Sequence, residues 1–365
     1  MKVQLKKSIF LQSLQKTQSI IEKRNTMPIL SNILIEGRDS QMEITVTDLE
    51  VSFRDICDAA VIQGGGITIN ARKLYEIIKE LPEDNVELSL GDSGRVSIKS
   101  GKSRFSINSL PVSEFPSFPQ YNEGRLTIVD SELIGDIISK TSFAVSTDET
   151  RRNINGLYFE NEDGKLIMVG TDGYRLALAE KATDMDIGLK KGVILPKKGV
   201  LELKKLLEQE GSLLAGFTES SAIFKKGGSV LVIRLIDGEF PKYRQVIPKG
   251  NDKTIKVNRE RMAGALRRMS LLSSEKIKGV RFNITKEKVE LSSSNPDLGE
   301  ATEDMEIDYN GEPLEVAFNA NYILDILGIL TGENAVIEIK DNISSCIMRS
   351  EEMDGCTYVI MPMRI

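Results

Sequence analysis

Three stretches of this chain carry residue types and spacings that could do chemistry. Ser100, Gly101, Lys102 and Ser103 reproduce the end of a phosphate-binding loop, where backbone N–H groups and a lysine cradle phosphates. The pattern needs a glycine five residues before the Gly-Lys pair, and that position is Val96. Asp148 with Glu149, and Asp304 with Glu306, are carboxylate pairs of the kind that hold a metal or divide acid and base roles, although acidic loop residues are usually solvated charge. Gly64, Gly65 and Gly66 form a connector before a strand rather than a dinucleotide fingerprint. The chain has no histidine, which removes the commonest general base, the commonest metal ligand and every Ser–His or Cys–His pair. The sequence thus points away from an enzyme, with no catalytic, metal or cofactor residues expected.

The elements around these residues repeat. The 365 residues divide into segments 1–122, 123–250 and 251–365, each the size of a common domain. Each opens with a strand and a helix and closes with a strand near a similar ending, at 110–118, 236–248 and 358–365. Each third divides again into two strand–helix–sheet halves, with short alternating strands separated by turn residues. Ser8, Asn70, Ser131 and Asn258 are placed as N-caps, Pro196 in the first turn of the fourth helix, and Asn319 at the start of the sixth. The apolar stripes are narrow: Phe10, Leu14 and Ile21 in the first helix, Met262, Leu266 and Met269 in the fifth. Such stripes pack on a sheet and leave the other face in water.

Composition bounds the partners. Three widely spaced cysteines, Cys57, Cys346 and Cys356, fit reduced thiols of a cytoplasmic protein, the last two as core residues. No apolar run approaches the roughly 18 residues of a membrane span, and the N-terminus lacks a signal-peptide pattern, so no membrane partner is expected. Asn283 and Asn342 match glycosylation sequons that carry no meaning without secretion. The formal net charge is −6, but it is unevenly placed. The helical stretches 8–24, 71–80, 131–142, 197–209, 258–272 and 319–330 together carry +6, leaving −12 elsewhere. A basic helical surface attracts phosphates without reading bases. With no tryptophan and few aromatics, stacking on single strands is not the expected mode, and a duplex backbone is.

The segments Thr171–Leu176, Asp237–Pro248 and Tyr358–Ile365, with Arg24–Leu30 and Thr47–Glu50, closely resemble the bacterial DNA polymerase III β subunit, the sliding-clamp family. The similarity runs end to end. It implies an α+β fold of three similar clamp domains in a head-to-tail dimeric ring, with helices lining the hole and sheets outside. It further implies a processivity factor that encircles double-stranded DNA. The implied partners are a second copy, the replicative polymerase catalytic subunit, the clamp loader, and other polymerases, repair and ligation proteins carrying short clamp-binding peptides. The implied setting is the cytoplasm, at the nucleoid.

Carried over by position, the peptide cleft comprises Ile154, Thr171, Gly173, Tyr174, Arg175, Leu176, Pro241, Val246, Ile277, Asn319, Tyr322, Ile343, Ser345, Val359, Met361, Pro362, Met363 and Arg364. Gln245 stands where some members have arginine, and Tyr174 where some have histidine. DNA contact is implied for Arg24, Arg151, Arg152, Lys197 and Lys198. The dimer contact is implied to join Phe105 and Ile107 to Leu271 and Leu272, with Lys73 facing Glu300 and Glu303. Two other readings of the residues remain: a basic scaffold that clings to DNA without encircling it, and a carboxylate hydrolase using Asp148 and Glu149.

Overall fold

The computed structural model describes residues 1–21, 27–82, 84–91, 94–184, 187–189, 191–273 and 278–364. Among them, six helices of ten residues or more recur at regular intervals: Lys7–Thr17, Ala71–Glu80, Ser131–Thr141, Lys197–Leu207, Arg259–Ser270 and Ala320–Ile329. A short strand runs directly into each, and at least three strands follow it.

The strand pairing repeats as well. In each sequence third, the strand before one helix pairs with the first strand after the other. Lys2–Lys6 pairs with Asn85–Leu90, and Gly65–Asn70 with Asn32–Arg38. Thr127–Val129 and Val193–Pro196 make the same exchange in the second third, Lys253–Asn258 and Leu314–Asn319 in the third. Each half therefore contributes a four-stranded antiparallel half-sheet, one of them extended by Ala60–Gln63.

Two half-sheet edges are joined within the chain. Val51–Asp58 pairs with Ser229–Arg234, and Arg175–Ala182 pairs with Cys356–Ile360, making two eight-stranded sheets. The corresponding strands of the remaining two half-sheets, Ser103–Asn108 and Gly299–Glu306, each end a sheet. These joins cut across the sequence thirds and yield two compact units. One comprises Met1–Ile134, Met185–Leu189 and Lys198–Leu235; the other comprises Gly135–Asp184, Lys190–Lys197 and Ile236–Ile365.

In the first unit the join is fastened by polar side chains. Asp55 Oδ1 accepts from Lys16 Nζ at 3.0 Å and from Ser229 Oγ at 2.6 Å. Glu202, buried despite its charge, accepts from Ser19 and Lys205. A buried carboxylate needs such partners, because leaving it unpaired costs several kcal/mol.

Asn70, Asn258 and Asn319 cap their helices by accepting backbone N–H bonds from Lys73, Arg261 and Asn321. Two expected caps move by one or two positions. The first helix starts at Lys7 after an uncapped Lys6, so Ser8 lies inside it. Asp130, not Ser131, takes the bonds from Glu132 and Leu133, because a carboxylate one residue earlier reaches the same N–H groups. Pro196 ends a strand, and the fourth helix starts at Lys197. Met262, Leu266 and Met269 are buried as expected. In the first stripe Ile20 replaces Ile21, because the helix stops at Thr17 and the turn after it changes which side chain faces inward.

The phosphate-loop lookalike is a hairpin: Gly101, at φ 53°, turns the chain between Arg95–Ser100 and Ser103–Asn108. Asp148 caps its own turn by accepting from Thr150 N and Oγ1, which holds its carboxyl below the usual range. Asp304 pairs with Lys288. Among the described residues no cluster of three His, Cys, Asp or Glu side chains is placed to hold a metal.

Candidate functional site

A tightly bonded turn, Thr171–Arg175, lies in the second unit. Asp172 Oδ1 accepts the N–H groups of Tyr174 and Arg175 at 2.9 and 3.0 Å. Thr171 Oγ1 accepts from Gly173 N and donates to Arg175 O. Gly173 sits at φ 90°, where a side chain is disfavoured, and a Cβ there would also press on the Arg151 guanidinium. The sequence Thr-Asp-Gly-Tyr-Arg thus specifies this shape locally, and leaves Tyr174 60% exposed at its tip.

Arg175 anchors the turn. Its guanidinium donates to Asp172 Oδ2 at 3.1 Å, Asp325 Oδ2 at 2.6 Å and the Phe143 carbonyl at 2.9 Å. It also lies 4.5 Å from the Tyr322 ring centroid. Burial, with Asp172 close by, raises the Tyr322 hydroxyl above its ordinary pKa.

Beside the turn lies a cavity of about 190 Å³. Leu176 and Val359, paired across adjacent strands, form its floor within a cluster that includes Ile167, Val169, Leu178 and Tyr243. Ile154 closes one side, and a segment from Pro241 to a single helical turn, Tyr243–Val246, closes another. Tyr243 is held from below: its hydroxyl donates to Glu160, which also accepts from Tyr158 and Arg244. Burial, then the bond to Glu160, pushes the Tyr243 hydroxyl up to about 12. A dry cavity of about 150 Å³ admits benzene, so this one suits an aromatic or branched apolar side chain rather than a cofactor.

The C-terminal segment forms the last wall. Met361 N donates to Tyr174 O at 2.9 Å, and Met363 N donates to Ala317 O at 2.7 Å. The tail is therefore stitched to the turn on one side and to Leu314–Asn319 on the other. Met361 lines the cavity and is 45% exposed.

Ten of the residues implied for the cleft line this one cavity: Ile154, Thr171, Gly173, Tyr174, Arg175, Leu176, Pro241, Val246, Val359 and Met361. Pro362 and Met363 follow in the same tail, half-buried, with Arg364 exposed beyond them. Tyr322 stacks on Arg175 and Asn319 caps the same helix. Ile343 is 72% exposed on a turn whose Asp341 carboxylate accepts its N–H. Ser345 is half-buried, its carbonyl accepting from Asn251. Ile277 lies outside the described residues.

Two lining residues were missed as cleft residues: Tyr243 and Arg151. Arg151 is also implied as a DNA contact; it is exposed, and its guanidinium donates to the Asp172 carbonyl at 2.9 Å and lines the cavity. Tyr243 carried a signal, because it lies inside the quoted Asp237–Pro248 motif.

The other implied DNA contacts differ among themselves. Arg152 is exposed and Lys197 half-buried. Lys198 is not a free surface charge: its ammonium pairs with Asp48 and donates to the Ile20 carbonyl. Arg24 lies outside the described residues.

At the two sheet ends, Phe105 is 40% exposed on Ser103–Asn108, with Ile107 half-buried. Leu271 is 76% exposed after the helix Arg259–Ser270, too open to be core, and Leu272 is half-buried. Lys73 pairs with Glu76 on its own helix. Glu300 is exposed, and Glu303 is held by Arg268, which depresses its carboxyl.

Comparison with known proteins agrees over the whole chain. Family profiles for the N-terminal, central and C-terminal domains of the DNA polymerase III beta subunit match residues 1–119, 128–242 and 244–364. The chain is 37% identical to the beta sliding clamp of Caulobacter vibrioides and 34% to that of Vibrio cholerae, with all of each chain covered. Among solved structures, it superposes with TM-score 0.96 at 34% identity on the Bartonella birtlesii sliding clamp bound to griselimycin. It superposes with TM-score 0.94 at 37% identity on the Caulobacter crescentus DNA polymerase III beta subunit; each match covers both chains completely.

Proposed function

The chain belongs to the DNA polymerase III beta subunit family, and from that premise we propose which of its parts do the family's work. It is a sliding clamp, a non-catalytic processivity factor. As a homodimeric ring it encircles duplex DNA without sequence preference and tethers the replicative polymerase and other DNA-processing proteins by short peptides.

One observation carries the assembly. Four of the six half-sheets join edge to edge within the chain, and two equivalent edges, Ser103–Asn108 and Gly299–Glu306, stay open. The same join between copies pairs one edge with the other's partner, head to tail, and closes when two chains meet. Charge favours it: Glu300, Glu303, Asp304 and Glu306 lie along one edge, Arg104 on the other with Lys73 on the same unit. Phe105, Ile107, Leu271 and Leu272 supply the apolar contact. The domain limits are 1–122, 123–250 and 251–365.

The client cleft is the cavity under Thr171–Leu176, extended by Tyr322, Ile343, Ser345 and the Met361–Arg364 tail. Two apolar anchors contribute roughly 1.5–3 kcal/mol each, and ordering the peptide costs several. The anchors alone therefore give weak, exchangeable binding, which suits clients that share the site by turns. The Bartonella birtlesii clamp is bound to griselimycin, and on this reading the same ligand enters this cavity. Arg152 and Lys197 meet the DNA backbone, while Lys198 chiefly braces Asp48. The protein works in the cytoplasm, at the nucleoid.

Sedimentation of the purified protein at micromolar concentration tests the assembly. The reading requires twice the 40.5 kDa chain mass; a species of 40.5 kDa would remove the ring.

A further inference from the structure

A second depression lies on the same sheet face as the cleft, separated from it by Tyr243. Its volume is about 550 Å³. Side chains two apart on a strand share a face. Leu176 pairs with Val359 under the cavity, and two residues further along, Leu178 pairs with Thr357 under this groove. Tyr243 borders both, so the groove continues the cleft at a spacing of roughly 7 Å along the strands.

The groove has an apolar floor and a charged rim. Leu178, Tyr243, Met353 and Cys356 are buried beneath it. Five charged residues line it, and four are already matched by partners outside it. Glu180 pairs with Lys165, Arg244 with Glu160 and Glu162, Arg349 with Glu338, and Glu351 with Lys256. Asp354, exposed at the rim, is the fifth, and among the described residues it has no ion-pair partner.

An apolar floor ending at one unmatched carboxylate fits a lysine or arginine, whose stem lies on hydrocarbon while its head stays at the wet edge. We infer that this groove is an accessory subsite of the cleft, which receives a basic side chain of the client about two to four residues from its apolar anchor. The inference rests on the cleft assigned above. It gives the clamp a way to rank clients whose anchors are alike, through the charge of their flanks.

The test compares two fluorescent peptides that share the apolar segment by which the replicative polymerase docks. One is flanked on both sides by lysines, the other by glutamates, and griselimycin serves as a probe of the cavity alone. Anisotropy titrations use the native protein, Asp354→Asn and Asp354→Lys. The lysine-flanked peptide should bind the native protein about threefold more tightly, the scale of one partly exposed ion pair. The ratio should shrink in Asp354→Asn and fall further in Asp354→Lys, with griselimycin unchanged in all three. A ratio that ignores residue 354 overturns the subsite while leaving the cleft intact. Failure of both peptides and griselimycin to bind the native protein overturns the cleft, and the subsite with it.

Discussion

Arg175 Nη1 donates to Asp325 Oδ2 at 2.6 Å, and this contact ties the turn Thr171–Arg175 to the helix Ala320–Ile329. Arg175 is placed in the cleft by resemblance, yet its guanidinium is committed to Asp172, Asp325 and the Phe143 carbonyl. Its role is to hold the turn. Asp325→Ala should therefore weaken griselimycin or client-peptide binding although Asp325 does not line the cavity. The expected loss is about fivefold, or about 1 kcal/mol, modest because Asp325 is partly exposed. Calorimetric titration of the variant checks it; unchanged affinity would mean the turn stands without this brace.

The tail makes its backbone contacts after the strand Cys356–Ile360 has ended. Deleting residues 361–365 should leave the sheet and the melting temperature nearly intact, while peptide binding drops below detection. Calorimetry and anisotropy on the same preparation separate the outcomes. Retained peptide affinity would place the cleft elsewhere.

Burial pushes the Cys57 thiol from 9.0 to about 11 and the Cys346 thiol to about 12, and raises Cys356 as well. In the unfolded chain these thiols ionise first, so the folded state holds the protons more tightly. Their contribution to stability is full below pH 9 and is lost as pH rises through the folded values. Urea midpoints should stay level towards pH 9 and decline above it. At pH 8 a thiol reagent should react slowly with the native protein and rapidly with all three cysteines in denaturant.

Leu271 is too exposed to matter much to its own chain, where surface substitutions usually change stability by within about 0.5 kcal/mol. If it anchors the partner, Leu271→Glu should weaken dimerisation by at least about 2 kcal/mol, the scale of an interface hot spot, with the melting temperature of the monomer preserved. Sedimentation across a dilution series reads the shift. An unaltered dimer would move the contact away from this helix end.

Much of the local structure is legible in the sequence. Asn70 and Asn258 mark helix starts because an amide side chain there can satisfy a free backbone N–H, and Met262, Leu266 and Met269 mark a face because their spacing matches the helical period. Ser131 failed by one residue because the competing cap Asp130 sits beside it. What composition and period could not supply is which strand edge meets which. Val51–Asp58 joins Ser229–Arg234 across more than half the first two thirds, and nothing in either strand's alternation names its partner. The cavity was not legible from pattern: Leu176 and Val359 look like core residues, and they become a floor because Pro241, Tyr174 and Met361 stand around them without filling the space.

The most direct measurement concerns topology. The clamp is loaded by its clamp loader onto a nicked circular plasmid, freed of loader in moderate salt, and followed by gel filtration before and after a restriction enzyme cuts the circle. A ring should stay with the circle and leave once ends exist for it to slide from. Equal loss from circular and linear DNA would contradict encirclement and leave only a basic scaffold that holds DNA by its surface charge.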